Sequence, residues 1–167
     1  NNTAVGRDAL ISNTTATENV AVGKDALKLT VSGGYNVAVG GSALAANLAA
    51  DNTAVGYVAL TANTTGTNNI AVGNNALDSN TTGGSNVAVG QGSLAANTTA
   101  SSNTAIGKSA MAANTTGANN VAVGANSLQP NTTGASNTAL GKGALASNTT
   151  ASNNTAVGFE SLVSNTT

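Results

Sequence analysis

Residues 69–85 read N-I-A-V-G-N-N-A-L-D-S-N-T-T-G-G-S, and variants of this phrase fill the chain. The phrase is easiest to follow through its anchor glycine, which recurs ten times: Gly6, Gly23, Gly40, Gly56, Gly73, Gly90, Gly107, Gly124, Gly141 and Gly158. Seventeen residues separate each anchor glycine from the next, except for sixteen between Gly40 and Gly56. Such a period is typical of solenoids, in which stacked copies bury a core that no single copy can bury.

The three residues before each anchor glycine have the composition of a short β-strand. The middle residue is always alanine, the residue before it is Thr, Val or Ile, and the residue after it is valine in eight copies. β-Branched residues favour an extended chain, and the following glycine permits a bend. Pairs such as Ala26-Leu27 predict a second short strand, and Asn-Thr-Thr-Gly, as in residues 63–66, is turn chemistry.

The sequence therefore predicts an all-β fold, a parallel β-solenoid of ten coils of about seventeen residues each. Residues 1–167 would form a single array and a segment of a longer fibrous protein. The first and last coils of such an array carry no capping unit and leave strand edges unpaired. Unpaired edges favour either a continuation of the chain or end-to-end stacking of copies.

Stacked coils place equivalent residues in columns. We predict a first core column of Val5, Val22, Val39, Val55, Val72, Val89, Ile106, Val123, Leu140 and Val157. The predicted second core column is Leu10, Leu27, Leu44, Leu60, Leu77, Leu94, Met111, Leu128, Leu145 and Leu162. A hydrogen-bonded Asn ladder that also satisfies turn backbone groups is predicted at Asn2, Asn19, Asn36, Asn52, Asn69, Asn86, Asn103, Asn120, Asn137 and Asn154.

The predicted core columns leave small residues on the other strand faces. Neighbouring residues of a strand point to opposite sides, so the anchor alanines, and the alanine or serine before each leucine, would face outward. A flat row of small side chains favours close packing against another chain, as a homotrimer or an end-to-end fibre. The alternative is that these alanines are merely tolerated in contact with solvent.

The composition argues against several classes of function. Charged residues are 7% of the chain and the net charge is −1, which would attract neither nucleic acid nor an anionic membrane surface. Cysteine and histidine are absent, and hydrolytic triads and most zinc sites need them. There is no long apolar run, so we expect no membrane insertion of this segment. We expect no catalytic, cofactor-binding or metal-binding residue, and we predict that the protein is not an enzyme.

The motif N-[T/V]-A-V-G-x-x-[A/S]-L, seen at Asn19–Gly23 and Asn120–Gly124, resembles the head repeats of trimeric autotransporter adhesins of the YadA-like type. It is also similar to repetitive stretches of bacterial surface proteins and phage tail fibres. The resemblance implies a left-handed β-roll in a parallel trimer, located at a cell surface or on a virion fibre. It also implies a host-surface receptor or glycan as a partner, with Tyr57, Phe159 and the lysines as candidate contacts. The family's usual repeat is shorter, and the extra residues here fall in the Asn-Thr-Thr-Gly turn.

Two other interpretations remain open from the sequence. A row of threonines at Thr65, Thr82, Thr99, Thr116 and Thr133 would suit an ice-binding β-solenoid, which presents regularly spaced hydroxyls and methyls. Asn-Thr-Thr is also an N-glycosylation acceptor, as at Asn13, Asn63 and Asn114, although the repeat generates these acceptors automatically.

Overall fold

The computed structural model describes residues 1–166, and Thr167, the last residue of the predicted array, lies outside them. Ten strands of three residues pair in chain order, all parallel, to form one sheet. They are β1 (Thr3–Val5), β2 (Val20–Val22), β3 (Val37–Val39), β4 (Thr53–Val55), β5 (Ile70–Val72), β6 (Val87–Val89), β7 (Thr104–Ile106), β8 (Val121–Val123), β9 (Thr138–Leu140) and β10 (Thr155–Val157). This confirms the predicted parallel β-solenoid, with about 17 residues per turn and no helix among the described residues.

The strand register is unbroken along the whole sheet. Each anchor alanine pairs with the anchor alanine of the next coil, as Ala71 does with Ala88. The sixteen-residue coil keeps the same register, because Val37 of β3 still pairs with Thr53 of β4. The missing residue is taken from the turn that follows the second asparagine of that coil, so the sheet is undisturbed.

The strands face the opposite way from the prediction, so the first predicted core column is wrong. The anchor alanines point inward, and from Ala21 to Ala139 they are 0% exposed. The residues predicted as that column point outward and are half-buried or exposed: Val5, Val22, Val39, Val55, Val72, Val89, Ile106, Val123, Leu140 and Val157. The predicted outward row of anchor alanines is therefore also wrong.

The physical reason lies in the anchor asparagine. It stands two residues before the anchor alanine, so the two side chains point to the same side of the strand. Asn86, for example, is fully buried and hydrogen bonds across the coil to the Ala100 carbonyl at 2.9 Å. Because the asparagine must lie inside to make this bond, the alanine lies inside as well, and the valines lie outside.

The predicted second strand is also absent, since residues around the Ala-Leu pair form consecutive turns. In the second coil, Asp25 and Leu27 have φ angles of 59° and 49°, and the equivalent positions of every described coil are likewise positive. This left-handed conformation curls the chain so that adjacent residues, Ala26 and Leu27, both reach the interior with 0% exposure. The alanine or serine before each leucine is therefore not an outward residue, which corrects that part of the prediction.

The second predicted core column is confirmed for nine of its ten members. Leu10 through Leu145, including Met111, are buried and pack with both sets of alanines into one continuous core. Leu162 lies in the last coil and is 49% exposed. Small alanines in the strands leave room for one large core side chain per coil.

Candidate functional site: the outward strand face

The sheet presents one long surface made of two straight rows of side chains, which we call the outward strand face. The first row precedes the anchor alanines: Thr3, Val20, Val37, Thr53, Ile70, Val87, Thr104, Val121, Thr138 and Thr155. The second row comes directly after the anchor alanines, from Val5 to Val157, and was predicted from the sequence as the first core column. Both rows contain only Val, Ile, Leu and Thr. Ile70 is 43% exposed and Ile106 is 40% exposed, so this uncharged surface is open to solvent in the single chain.

Two columns border the outward strand face. The leading flank comes just before each anchor asparagine: Asn1, Glu18, Tyr35, Asp51, Asn68, Ser85, Ser102, Asn119, Ser136 and Asn153. The trailing flank comes just after each anchor glycine: Arg7, Lys24, Gly41, Tyr57, Asn74, Gln91, Lys108, Ala125, Lys142 and Phe159. Every leading-flank residue is exposed, and so are all trailing-flank residues except Gly41 and Ala125.

The anchor asparagines form the ladder expected from the sequence, directly behind the sheet. The Asn86 side-chain oxygen accepts a hydrogen bond from the backbone N–H of Asn103 in the next coil, at 3.0 Å. The same bond recurs at every step from Asn2 to Asn154. Each side chain thus joins two neighbouring coils, and the series holds the sheet in one register.

A second ladder runs through the asparagines that begin the turns. Asn97 donates to the Asn80 side-chain oxygen at 2.9 Å and to the Ala100 carbonyl at 3.0 Å. Thr30 replaces asparagine in the second coil, and its buried hydroxyl donates instead to the Asn47 carbonyl at 2.7 Å. Buried polar groups are tolerated here because each finds a partner in the stack.

The second ladder encloses most of the potential glycan acceptors. From Asn63 to Asn148 the asparagines of the Asn-Thr-Thr phrases are 0% exposed, and their side-chain nitrogens donate hydrogen bonds. An attached sugar would break these bonds and would find no space inside the coil. In the folded array, N-glycosylation of these asparagines is therefore incompatible with the ladder.

The two threonines of each Asn-Thr-Thr phrase differ in their surroundings. From Thr64 to Thr132 the hydroxyl of the first donates to a carbonyl of the next coil, as Thr64 does to Thr81 at 3.0 Å. In the six phrases from Asn63 to Asn148 the second threonine is exposed, and no hydrogen bond within residues 1–166 uses its hydroxyl. The exposed row is the one named from the sequence, Thr65, Thr82, Thr99, Thr116 and Thr133, and Thr150 extends it. It lies on a bend and not on a strand.

Charged side chains are sparse and lie at the surface. Asp25 contacts Lys28 at 3.1 Å and Lys24 at 3.7 Å, and Arg7 lies 3.5 Å from Asp8. Hydrogen bonding to Lys28, helped by the nearby positive charges, lowers the pKa of the Asp25 carboxyl although partial desolvation opposes the shift. The basic partners are largely exposed, whereas the Asp25 side chain is only 16% exposed. Ion pairs with a solvent-exposed cation contribute little to stability.

Among residues 1–166, side chains suited to metal binding do not converge. The described residues contain no cluster of three or more His, Cys, Asp or Glu side chains that could hold a metal ion. A shallow groove of about 430 Å³ beside Lys142, Gly143 and Glu160 brings together one ammonium and one carboxylate, without a nucleophile or a buried base. The described residues also form no helix that is long and apolar enough to cross a membrane.

Comparison with protein-family models, with curated proteins and with solved structures finds no match to the chain. The dominant feature of the described residues is the outward strand face, whose valine row was predicted to lie inside the coil.

Proposed function

We propose that this chain is a structural and adhesive segment of an extracellular fibre that self-associates through the outward strand face. The observation that carries the proposal is two rows of uncharged, mostly β-branched side chains that run the full length of a ten-stranded sheet. Monomeric soluble proteins rarely leave a large, continuous apolar surface in water. A homotrimer, as in the adhesin heads that the motif resembles, is the arrangement we favour.

The dimensions of this face set the size of a contact between copies. Ten strands at about 4.8 Å spacing give a length of about 48 Å. Each three-residue strand spans about 10 Å, and the chain bends on either side of it, as at Glu18 and Gly23 with φ angles of 59° and 138°. The strands therefore cover about 480 Å², somewhat more than half of the roughly 800 Å² that each partner contributes to an ordinary specific interface.

A second copy is the natural occupant of a face with this regularity. Every row repeats at the strand spacing, and an identical chain carries the same spacing over the same length. The ladder of anchor asparagines behind the sheet keeps the face straight and preorganised, so that little ordering cost is paid on association.

Mass in solution, measured by sedimentation equilibrium, tests this function. We expect the wild-type chain to be an oligomer and the variant Val72→Lys/Val89→Lys to be a monomer, because two ammonium groups would be desolvated in the contact. The matched control is Thr82→Lys/Thr99→Lys, which places the same charges in the same two coils on the exposed threonine row and should leave the oligomer intact. A wild-type chain that stays monomeric at high concentration would refute the proposal.

The adhesive part of the proposal concerns the surfaces outside the contact between copies. The trailing flank varies most from coil to coil, and its Tyr57 and Phe159 are 61% and 68% exposed. We expect a receptor or glycan to contact these aromatic groups and nearby lysines. Binding of the oligomer to a glycan array and to whole cells, compared with Tyr57→Ser/Phe159→Ser, is the test, and equal binding by both proteins would contradict it.

Ice binding is a second candidate, favoured by the exposed threonine row. Six consecutive coils present a hydroxyl and a methyl at one strand spacing of about 4.8 Å, from Thr65 to Thr150. Thermal hysteresis at high protein concentration measures this activity, and Thr99→Lys/Thr116→Lys should abolish it. Absence of hysteresis in the wild-type chain would end this candidate.

A further inference from the structure

One surface groove departs from the regular pattern of the coils. It lies over the ninth coil, beside Lys142, Gly143 and Glu160, and has a volume of about 430 Å³. Sites for small molecules in proteins have volumes of roughly 300–1,000 Å³. The groove is formed by the turns that follow the strands, and it does not include the two rows of the outward strand face. It is large enough to hold a small molecule.

The groove exists because short residues of one coil lie between longer residues of its two neighbours. At the positions two and five residues after the anchor glycine, the ninth coil has Gly143 and Ala146. The walls on either side have longer side chains at both positions: Asn126 and Gln129 in the eighth coil, and Glu160 and Val163 in the tenth. The depression is therefore closed at both ends along the axis of the array.

The sixth coil provides an internal comparison. Gly92 and Ala95 occupy the same two positions there, but the seventh coil places only the small Ser109 beside Gly92. A Cβ atom added to Gly92 would have the Ser109 hydroxyl oxygen as its nearest neighbour, at 3.9 Å. A Cβ atom added to Gly143 would lie 3.2 Å from Cγ of Glu160. The Glu160 side chain thus lies close over the missing side chain of the ninth coil, and the sixth coil has no such wall.

Two opposite charges line the groove without pairing with each other. The Lys142 ammonium and the Glu160 carboxylate both belong to its walls. Neither takes part in an ion pair found among residues 1–166. Lys142 Nζ lies 5.6 Å from the centroid of the Phe159 ring, a cation–π contact that restricts where the ammonium can move. Both charges are therefore available to a ligand.

The eighth coil adds neutral hydrogen-bonding groups to the groove. The side chains of Asn126 and Gln129 are exposed, and no hydrogen bond found within residues 1–166 uses their amides. Each amide offers both N–H donors and a carbonyl acceptor. The groove thus presents one cation, one anion and two amides to a single occupant.

We propose that this groove binds a compact zwitterion, a small molecule with one carboxylate and one ammonium on a short linker, the chemical class of the free amino acids. The ligand carboxylate pairs with Lys142 and the ligand ammonium with Glu160, while the two amides hydrogen bond to the same charged groups. Because the linker makes the second contact intramolecular, a zwitterion binds more tightly than either ion alone. The site does not depend on self-association of the chain.

Saturation-transfer NMR on the full chain tests the proposal with zwitterions of increasing length: free glycine, β-alanine, γ-aminobutyrate and ε-aminocaproate. Acetate and methylammonium are the single-charge controls. We expect transfer to at least one zwitterion at concentrations at which neither control ion shows any. Lys142→Met and Glu160→Gln should each weaken binding about fivefold, the upper end for an exposed ion pair. Transfer to none of the zwitterions, or equal transfer to the control ions, would overturn the proposal.

A filled groove distinguishes this site from binding elsewhere on the chain. Ala146→Leu places three further carbons in the groove and should abolish the transfer, and Ile11 shows that the equivalent position of the first coil accepts a large apolar side chain. The matched control, Ala95→Leu, makes the same change in the sixth coil and should leave binding unchanged. Binding that survives Ala146→Leu, or that is lost equally in Ala95→Leu, would overturn the assignment to this groove. Either result leaves the mass in solution unchanged, so failure of this site is distinguishable from failure of the proposed self-association.

Discussion

Exchanging one inward and one outward residue of the same strand gives the sharpest test of the fold. Ala88 and Val89 are neighbours in β6, and Ala88 is fully buried between Ala71 and Ala105 of the adjacent strands. Strands are about 4.8 Å apart, so stacked alanine methyl groups are already near van der Waals contact. Two added methyl groups in Ala88→Val have no free space, and overpacking of this kind costs about 1–3 kcal/mol.

The reverse change should be mild. Val89 is half-buried and points outward, so Val89→Ala removes methyl groups that already contact water in the single chain. Full burial of a valine side chain contributes about 1.5–3 kcal/mol. Only part of that is lost here, together with a small loss of strand propensity. We expect Val89→Ala to lower the free energy of unfolding by less than about 1 kcal/mol.

Urea denaturation followed by circular dichroism measures the difference. Both variants are compared in a Val72→Lys background at several protein concentrations, because association would stabilise the folded chain by mass action. Midpoints that do not depend on concentration show that the fold alone is being measured. If Val89→Ala destabilises the chain more than Ala88→Val under those conditions, then valine fills the core and the inward alanine column is refuted.

Other substitutions probe the turns and ladders. Gly90→Ala should lower the free energy of unfolding by at least about 3 kcal/mol, because φ is +130° and a Cβ would lie 2.6 Å from backbone atoms of the next coil. Gly92→Ala should lower it by about 1 kcal/mol in the same urea assay, because φ is +64° and the nearest atom to its Cβ is 3.9 Å away. Val58→Asn should raise the melting temperature, since a β-branched residue is held there at φ 50°, which asparagine tolerates better. Asn97→Asp should destabilise the chain at neutral pH and less at acidic pH. The new carboxylate would face two buried oxygens, so its folded-state pKa would be raised and stability would fall as pH rises through that value. A pH-independent effect of Asn97→Asp would contradict this. Finally, intact mass of folded protein secreted from eukaryotic cells should show no glycan on the asparagines of the second ladder, and occupancy there would contradict the burial.

The coil architecture could be predicted from the sequence because it depends on periodicity alone. A seventeen-residue period, a glycine after each β-branched pair and a buried leucine in every copy indicate stacked coils without reference to any particular side-chain direction. The leucine column could be predicted because a large apolar residue, such as Leu77, recurs at the same position of every repeat.

The strand direction could have been predicted as well, but from the asparagines and not from hydrophobicity. Valine is more apolar than alanine, and that difference favoured placing Val89 inside. Asn86 bridges the coil, however, and must therefore point inward. Ala88 stands two residues later in the same strand, so its side chain points inward too. Without an inward Asn86, the Ala100 carbonyl and the Asn103 N–H would lose their partner, at about 1–3 kcal/mol each. An inward valine would gain only about 1.6 kcal/mol over alanine, from two further buried carbons.

The absence of the second strand had a sequence signal that hydrophobic patterns do not contain. The column two residues after each anchor glycine is Asp, Asn, Ser or Gly in eight of ten copies, the residues that best tolerate a left-handed backbone. Val58 and Glu160 are the exceptions. The left-handed leucines two residues later carry no such signal, because leucine is chosen there for its volume.

The Asn ladders give the array a length that can be altered in whole steps. The contacts of each interior coil lie within that coil and with its two neighbours, and all coils offer nearly the same set. Gaining or losing a complete repeat therefore changes the reach of the rod by about 4.8 Å and disturbs no contact type, and the short third coil shows that the turn also absorbs a single-residue error. Duplication or loss of a repeat in the gene would thus change the length of the rod in whole steps without requiring a new core to be packed.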